Sequence, residues 1–395
     1  MNAAASSPIA LDAMGGDCGV QPFVEGALSA IADDGARIVL VGRRPELVAA
    51  LNVAEPRWQA FEDRGDLSLV HADDVVTMDD KAADAARKKK QSSMRVACDV
   101  VALGPGNPHA PGVGAAGVLS MGNTGAMLAT ALLAVGRLPG VARPAIATIL
   151  PSLSPSGRTL LLDAGANSEC EALHLAQWGV LGSVYLEFAF GQQRPAVGVL
   201  SNGEEDHKGT TLVREALALL RQTNLNIVGF CEGRDLNAGA VHVVVTDGFT
   251  GNIVLKTAEG VFSFMSAVIK RTFSEGTPVD KLGGLLSKPG WARIRRELDP
   301  REFGAAPLLG LRRPVFIGHG KSDAHAVRCG LRAVRRYVDA DVTEHLVEAL
   351  ASLPPALAHK RHAHAAVSDA AVAVSDAAVS DAAKDAAVVS GENEG

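Results

Sequence analysis

Short runs of aliphatic and β-branched residues recur along the chain, bounded by glycine or polar residues. They predict strands at residues 9–11, 37–41, 67–71, 118–120, 145–150, 159–162, 196–200, 226–230, 241–246 and 314–317. Segments with helical periodicity separate many of them, at 80–90, 92–103, 212–222 and 260–273. Strands alternating with helices imply βαβ units and a mostly parallel sheet covered on both faces, so the expected fold is a three-layer α/β/α sandwich. Six apolar runs empty into tight glycine-and-polar turns, at 11–17, 120–125, 163–167, 201–205, 246–252 and 319–323. Glycine lets backbone N–H groups approach a ligand, and in open α/β sheets ligands bind at the carboxyl ends of strands. So many turns of one kind point to an active site.

Composition narrows this picture. Hydrophobic residues make up 47% and charged ones 21%, which suits a globular core, whereas aromatics reach only 4%. An apolar pocket is therefore expected to be lined by Leu, Val, Ile, Ala and Met. The net charge of −6 is concentrated in residues 365–395, where six acids face Lys384 alone. The nearly neutral body excludes a global nucleic-acid footprint. Cys18, Cys98, Cys170, Cys231 and Cys329 lie far apart with no C-x-x-C pair, a pattern of a reducing compartment rather than a disulfide framework or zinc site. No metal or cofactor is expected. Residues 1–7 lack the charge and apolar stretch of a signal peptide and are expected to be disordered. No run of 18 apolar residues occurs, which argues against a spanning helix. After Pro354-Pro355 the sequence turns to Ala, Ser and Asp, with Val-Ser-Asp-Ala-Ala recurring at 367, 374 and 379. Residues 354–395 therefore read as a low-complexity, disordered tail behind one α/β domain at 8–353.

Several motifs have two readings. Residues 112–117 spell G-x-G-x-x-G, but a proline- and glycine-rich loop (104–114) precedes them, a strand follows, and no acid lies between Asp99 and Asp163, so the dinucleotide fingerprint fails. Gly320-Lys321-Ser322 lacks the upstream glycine of a phosphate loop, since Val315 stands there. His359, His362 and His364 could bind metal or form a solvated basic stretch. Lys208 follows a strand and precedes a helix, where an ammonium and free N–H groups make an anion site; it could equally offset the adjacent acids. Asn252 could cap the following helix or donate its amide to a substrate carbonyl. Residues 281–296 hold five bases and no acid. With the break at Pro289-Gly290 they read as an amphipathic hairpin over 281–298, suited to an anionic membrane, an acidic partner or the protein's own core.

Taken together, the chain resembles the bacterial phosphate acyltransferases of the PlsX family from about Ile9 to Leu350. The resemblance is carried by Ala10–Asp17, Met78-Asp79-Asp80-Lys81, Arg87–Met94, Gly122–Ala126, Arg143–Thr148, Cys231–Asp235, Asp247–Asn252 and Ala306–Gly310. It implies an isopropylmalate dehydrogenase-like fold and transfer of a fatty acyl group from acyl-acyl carrier protein to inorganic phosphate, giving acyl phosphate for phospholipid synthesis. Lys208 and Asn252 are the implied catalytic residues, with Gly15, Gly16, Gly122, Asn123, Gly125, Gly248 and Gly251 forming the phosphate or substrate cradle. Phosphate itself attacks, so no covalent nucleophile is implied. The resemblance also implies a cytoplasmic homodimer, peripheral to the membrane, that hands its product to a glycerol-3-phosphate acyltransferase. Leu282, Leu285, Leu286, Lys288, Trp291, Arg293, Arg295 and Arg296 are the implied membrane or carrier contacts. Rival readings are a phosphate acetyltransferase-like enzyme using acyl-CoA, a dehydrogenase of related fold, and a non-catalytic membrane scaffold.

Overall fold

A computed structural model describes residues 7–298 and 300–358, without the side chains of residues 292, 294–298, 300 and 303. The tail beyond 358, with its three histidines, and residues 1–6 lie outside the described residues.

Among the described residues twelve strands form two sheets. They are β1 (Ile9–Asp12), β2 (Ile38–Gly42), β3 (Leu67–His71), β4 (Gly117–Ser120), β5 (Ala145–Ile146), β6 (Thr148–Pro151), β7 (Arg158–Leu162), β8 (Ala196–Leu200), β9 (Asn226–Cys231), β10 (Val243–Val245), β11 (Ala306–Leu309) and β12 (Val315–Ile317). The first sheet runs β3-β2-β1-β4-β12-β11-β5 and the second β6-β7-β10-β8-β9. Pairing is parallel except at β11, which is antiparallel to both neighbours, and at β6. The mostly parallel α/β fold is as expected, divided between two sheets.

Alternation along the strands shows why both faces are covered. Ile9, Leu11, Ile38 and Leu40 point into one apolar cluster with Phe23 and Ile31 of the helix Gln21–Asp34 and Val327 and Leu331 of the helix Ala324–Asp339. Ala10, Val39, Val41 and Val118 point the other way, into a cluster with Met94 and Val96 of Ser93–Leu103 and Met127 of Thr124–Ala134. The first cluster continues through Leu160, Leu162, Val197 and Val243, so it underlies both sheets, with Trp178 of the helix Ala172–Phe190 fully buried in it.

The structure departs from expectation at several places. Residues 145–150 are two strands, because Ile146 N donates to Asp163 Oδ1 (3.0 Å) while Ala147 N donates to the Pro307 carbonyl (3.0 Å), carrying the chain from one sheet to the other. The strand β11 went unread because Pro307 removes a ladder donor, which weakens the sequence signal for a strand. The hairpin over 281–298 with a break at Pro289 is also corrected: Pro278–Leu298 is one helix with Pro289 inside it. Its partner arm is the preceding 28-residue helix Gly248–Glu275. Proline removes a single ladder bond, and the turn is made instead by a capping box. Thr277 Oγ1 accepts from Asp280 N (3.3 Å), and Asp280 Oδ2 accepts from Thr277 N (2.8 Å). Finally, Leu357 is fully buried and its carbonyl accepts from Gln177 Nε2 (2.8 Å), so the packed body extends past Pro354.

The helix Gly248–Glu275 is long and apolar enough to cross a membrane by length and composition, with a mean hydropathy of 1.3 over an 18-residue window. The absence of an uninterrupted apolar run argues against this in the sequence, because Lys256 and Glu259 within the helix and Lys270 and Arg271 near its end break up the pattern. Its first turn is nonetheless built into the strand-end turns described next.

Candidate active site

The parallel strands bring their carboxyl-end turns together. In the first sheet the turns after β1 and β4 interlock. Asp12 is fully buried and accepts from Ser120 Oγ (2.7 Å) and Met14 N (3.2 Å). Burial pushes its carboxyl above the ordinary range, while these hydrogen bonds oppose the rise. A β-carbon on Gly15 would stand 2.9 Å from the Gly122 α-carbon, so backbone meets backbone there. Asn123 is committed to the scaffold. Its Oδ1 accepts from Ala126 N (2.9 Å), capping the helix Thr124–Ala134, and its Nδ2 donates to the carbonyls of Met78 (3.1 Å) and Asp80 (3.2 Å).

In the second sheet Asp163, also fully buried, organises the turn after β7. Its carboxylate accepts from Ile146 N, Gly165 N, Ala166 N, Asn167 N and Asn167 Nδ2, at 2.7–3.2 Å. Desolvation raises its pKa against those donors. The turn after β10 packs on it: a β-carbon on Gly251 would overlap the Asp163 carbonyl oxygen, so only glycine fits. The cap of Gly248–Glu275 is Asp247, which accepts from Thr250 N (2.8 Å) and Thr250 Oγ1 (2.8 Å). The capping reading of Asn252 is thereby overturned. Asn252 is exposed, lies against Gly165, and its amide makes no hydrogen bond among the described residues.

A groove of about 1610 Å³ opens beside these turns. It follows the helix Gly248–Glu275 from Asn252 to Ser274, roughly 33 Å at 1.5 Å per residue. Its lining includes Thr124, Gly125, Gly165 against Asn252, and His319 beside Glu259; farther along the helix come Val261, Met265 and Phe273, facing Leu285 and Trp291 of Pro278–Leu298. The Phe273 and Trp291 rings lie 5.9 Å apart.

Of the residues singled out from sequence, Asn252, Gly125, Leu285, Lys288 and Trp291 line the groove. Gly15, Gly16, Gly122, Asn123, Gly248 and Gly251 are outside its lining, within the packed turns. Lys208 is half-buried in the turn after β8, the strand beside β10, and is not part of the lining. Its stem covers Gly203, and its ammonium makes no hydrogen bond or ion pair among the described residues. It precedes the helix Thr211–Leu220, whose cap is Thr210. Leu282, Leu286 and Arg293 are exposed, and the side chains of Arg295 and Arg296 lie outside the described residues.

A polar cluster in the groove escaped the sequence reading. Lys256 Nζ lies 3.0 Å from Glu259 Oε2, and His319 Nε2 lies 3.7 Å from Glu259 Oε1. The groove walls hold the His319 imidazole below its ordinary pKa by desolvation; Glu259 opposes this and Lys256 adds to it. The signal was present: positions 252, 256 and 259 fall on one helical face. All three cluster residues line the groove, so charged and neutral donors stand one to two helical turns from Asn252.

Comparison with known proteins puts this geometry in context. Residues 8–345 match the family described as "Fatty acid synthesis protein". The chain is 43% identical over 367 residues to a protein of Myxococcus xanthus (strain DK1622) named phosphate acyltransferase, covering 91% of this chain and 99% of that one. A protein of the same name from Anaeromyxobacter sp. (strain K) is 45% identical over 356 residues, covering 89% and 92%. Among solved structures, a phosphotransacetylase from Streptococcus pyogenes superposes with a TM-score of 0.53 at 15% identity, over 86% of this chain and 94% of that one, a likeness of fold.

Proposed function

This chain belongs to the fatty acid synthesis protein family and is an acyltransferase; on that premise we propose that it moves a fatty acyl group from acyl-acyl carrier protein to inorganic phosphate, supplying acyl phosphate for phospholipid synthesis. The observation that carries this reading is the groove: a long apolar channel that runs beside a helix and reaches glycine-rich turns and the Asn252 amide, which has no partner among the described residues. Each methylene buried there contributes about 0.8 kcal/mol, which favours a long acyl chain as the bound group.

In the proposed reaction a phosphate oxygen attacks the thioester carbonyl carbon. The tetrahedral oxyanion collapses, the C–S bond breaks, and the carrier's pantetheine sulfur leaves as thiolate. Asn252 donates its amide to the carbonyl oxygen, where charge develops. Lys208 holds phosphate from the neighbouring strand-end turn, and the glycine turns at 15–16, 122–125 and 248–251 keep the backbone rigid around it. Holding both reactants makes the step effectively intramolecular. Asp12 and Asp163, both fully buried and hydrogen-bonded within their turns, serve as scaffold rather than as bases.

The hairpin of Gly248–Glu275 and Pro278–Leu298 presents exposed Val279, Leu282 and Leu286 beside Lys281, Lys288 and Arg293. Apolar residues amid cations support peripheral attachment to an anionic membrane, close to the glycerol-3-phosphate acyltransferase that would consume the product. The same face could guide an acidic carrier protein. A homodimer completes the proposal, to be checked by sedimentation. The activity test is to incubate the purified protein with palmitoyl-carrier protein and phosphate and to trap the product with hydroxylamine. Phosphate-dependent hydroxamate is expected; thioester left intact would refute the proposal, and turnover of palmitoyl-CoA alone would replace the donor.

A further inference from the structure

Where the chain leaves the hairpin, three side chains from two elements converge. Cys329 and His325 sit one turn apart on the helix Ala324–Asp339, and Glu302 comes from Pro300–Phe303, the short helix that follows the hairpin. Cys329 Sγ lies 3.6 Å from His325 Nε2, and His325 Nε2 lies 3.0 Å from Glu302 Oε1. The three ligand atoms all fall within 4.8 Å of one another. Tetrahedral coordination, with Zn–S of about 2.3 Å and Zn–N of about 2.0–2.1 Å, sets sulfur and nitrogen roughly 3.5 Å apart. The observed spacing therefore matches that of shared ligands. Cys329 is buried while His325 and Glu302 are exposed, which leaves an entry path on the solvent side.

We propose that Glu302, His325 and Cys329 bind a zinc-class divalent cation, with water in the fourth position. Sulfur, imidazole and carboxylate together suit Zn²⁺ better than the hard, all-oxygen cations. Binding replaces the Cys329 thiol proton, so one proton is released as the S–metal bond forms. The site lies where the hairpin re-enters the fold. Arg301 and Asp323 already pair there (2.6 Å), and a β-carbon on Gly304 would collide with the backbone at Cys329 and Gly330. Because Glu302 and Gly304 also line the groove, the cation would staple the groove wall to the helix Ala324–Asp339. Linear cysteine spacing could not reveal this, because only one ligand is a cysteine and Glu302 lies outside its helix.

The test is to titrate untagged, chelator-stripped full-length protein with Co²⁺. One equivalent is expected to give a thiolate-to-cobalt charge-transfer band, which Zn²⁺ abolishes by displacement. Cys329→Ser should lose the band, and His325→Ala should weaken affinity by more than the ~10–100-fold typical of an outer-shell partner. A variant with His359, His362 and His364 all changed to Ala should bind as the wild type does. No band in folded wild-type protein would overturn the proposal, as would a band that survives Cys329→Ser or vanishes with the three tail histidines. Should Cys329→Ser fail to fold by circular dichroism, the exposed His325→Ala decides: unchanged affinity there refutes the site.

Discussion

Lys208 stands on the turn after β8 and Asn252 on the first turns of the helix that follows the adjacent parallel strand β10, and neither polar head has a partner among the described residues, which is how a reaction joining a carbonyl and an anion would distribute its donors. Replacing Asn252 by Ala is expected to lower kcat/KM at least about tenfold, since loss of one oxyanion donor typically costs on the order of a hundredfold. Lys208→Ala should abolish acyl phosphate formation with an unchanged circular dichroism spectrum; wild-type turnover would remove Lys208 from the chemistry. Gly251→Ala tests the scaffold instead. Its β-carbon has no room beside Asp163, so a loss of about 1–3 kcal/mol in urea denaturation is expected. At this scale the sequence shows which turns matter but not which atoms stay free. Asn123 and Asn252 look alike in their glycine turns; only the structure shows that Asn123 spends its whole amide on Ala126, Met78 and Asp80.

Among elements, the pairing of Gln21–Asp34 with Ala324–Asp339 depends on charge as well as on the apolar cluster between them. Asp34 accepts from the guanidiniums of both Arg328 and Arg332 at 2.7–2.9 Å. Their hydrogen bonds hold its carboxyl well below the ordinary carboxylate range. A depressed folded-state pKa stabilises the protein above the unfolded value, and the gain is lost as pH falls toward the folded one. Asp34→Asn should therefore cost about 1 kcal/mol at neutral pH, and the difference from wild type should shrink below about pH 4 in denaturation curves. The helical hairpin makes a separate prediction. Because Leu285 lines the groove, Leu282 and Leu286 are the cleaner probes of its outer face. Leu282→Glu with Leu286→Glu should reduce flotation with anionic vesicles, and unchanged flotation would assign this face to the carrier protein or to a second copy. The hairpin's cationic character was legible in residues 281–296, but its turn was misread. Pro289 is a strong local signal, and the Thr277–Asp280 capping box that makes the turn is a quieter one.

At the scale of the whole molecule, the two sheets, the crossing at Ile146–Thr148 and the long hairpin together enclose a groove that no single segment encodes. The parallel strands were legible because their apolar runs are short and end in glycine turns. The division into two sheets was not, since Ala147 looks like any other residue of an apolar run until Asp163 and Pro307 compete for its neighbourhood. The groove's width is open to test: Met265→Trp, on the lining of its apolar length, should raise KM for long acyl donors and spare short ones. The most direct measurement follows radiolabelled phosphate and free thiol together in one reaction with palmitoyl-carrier protein. The proposed mechanism requires one phosphate in a lipid-extractable product for every thiol released, and no thiol without phosphate. Thiol released to water in the absence of phosphate, or an unlabelled product, would contradict it.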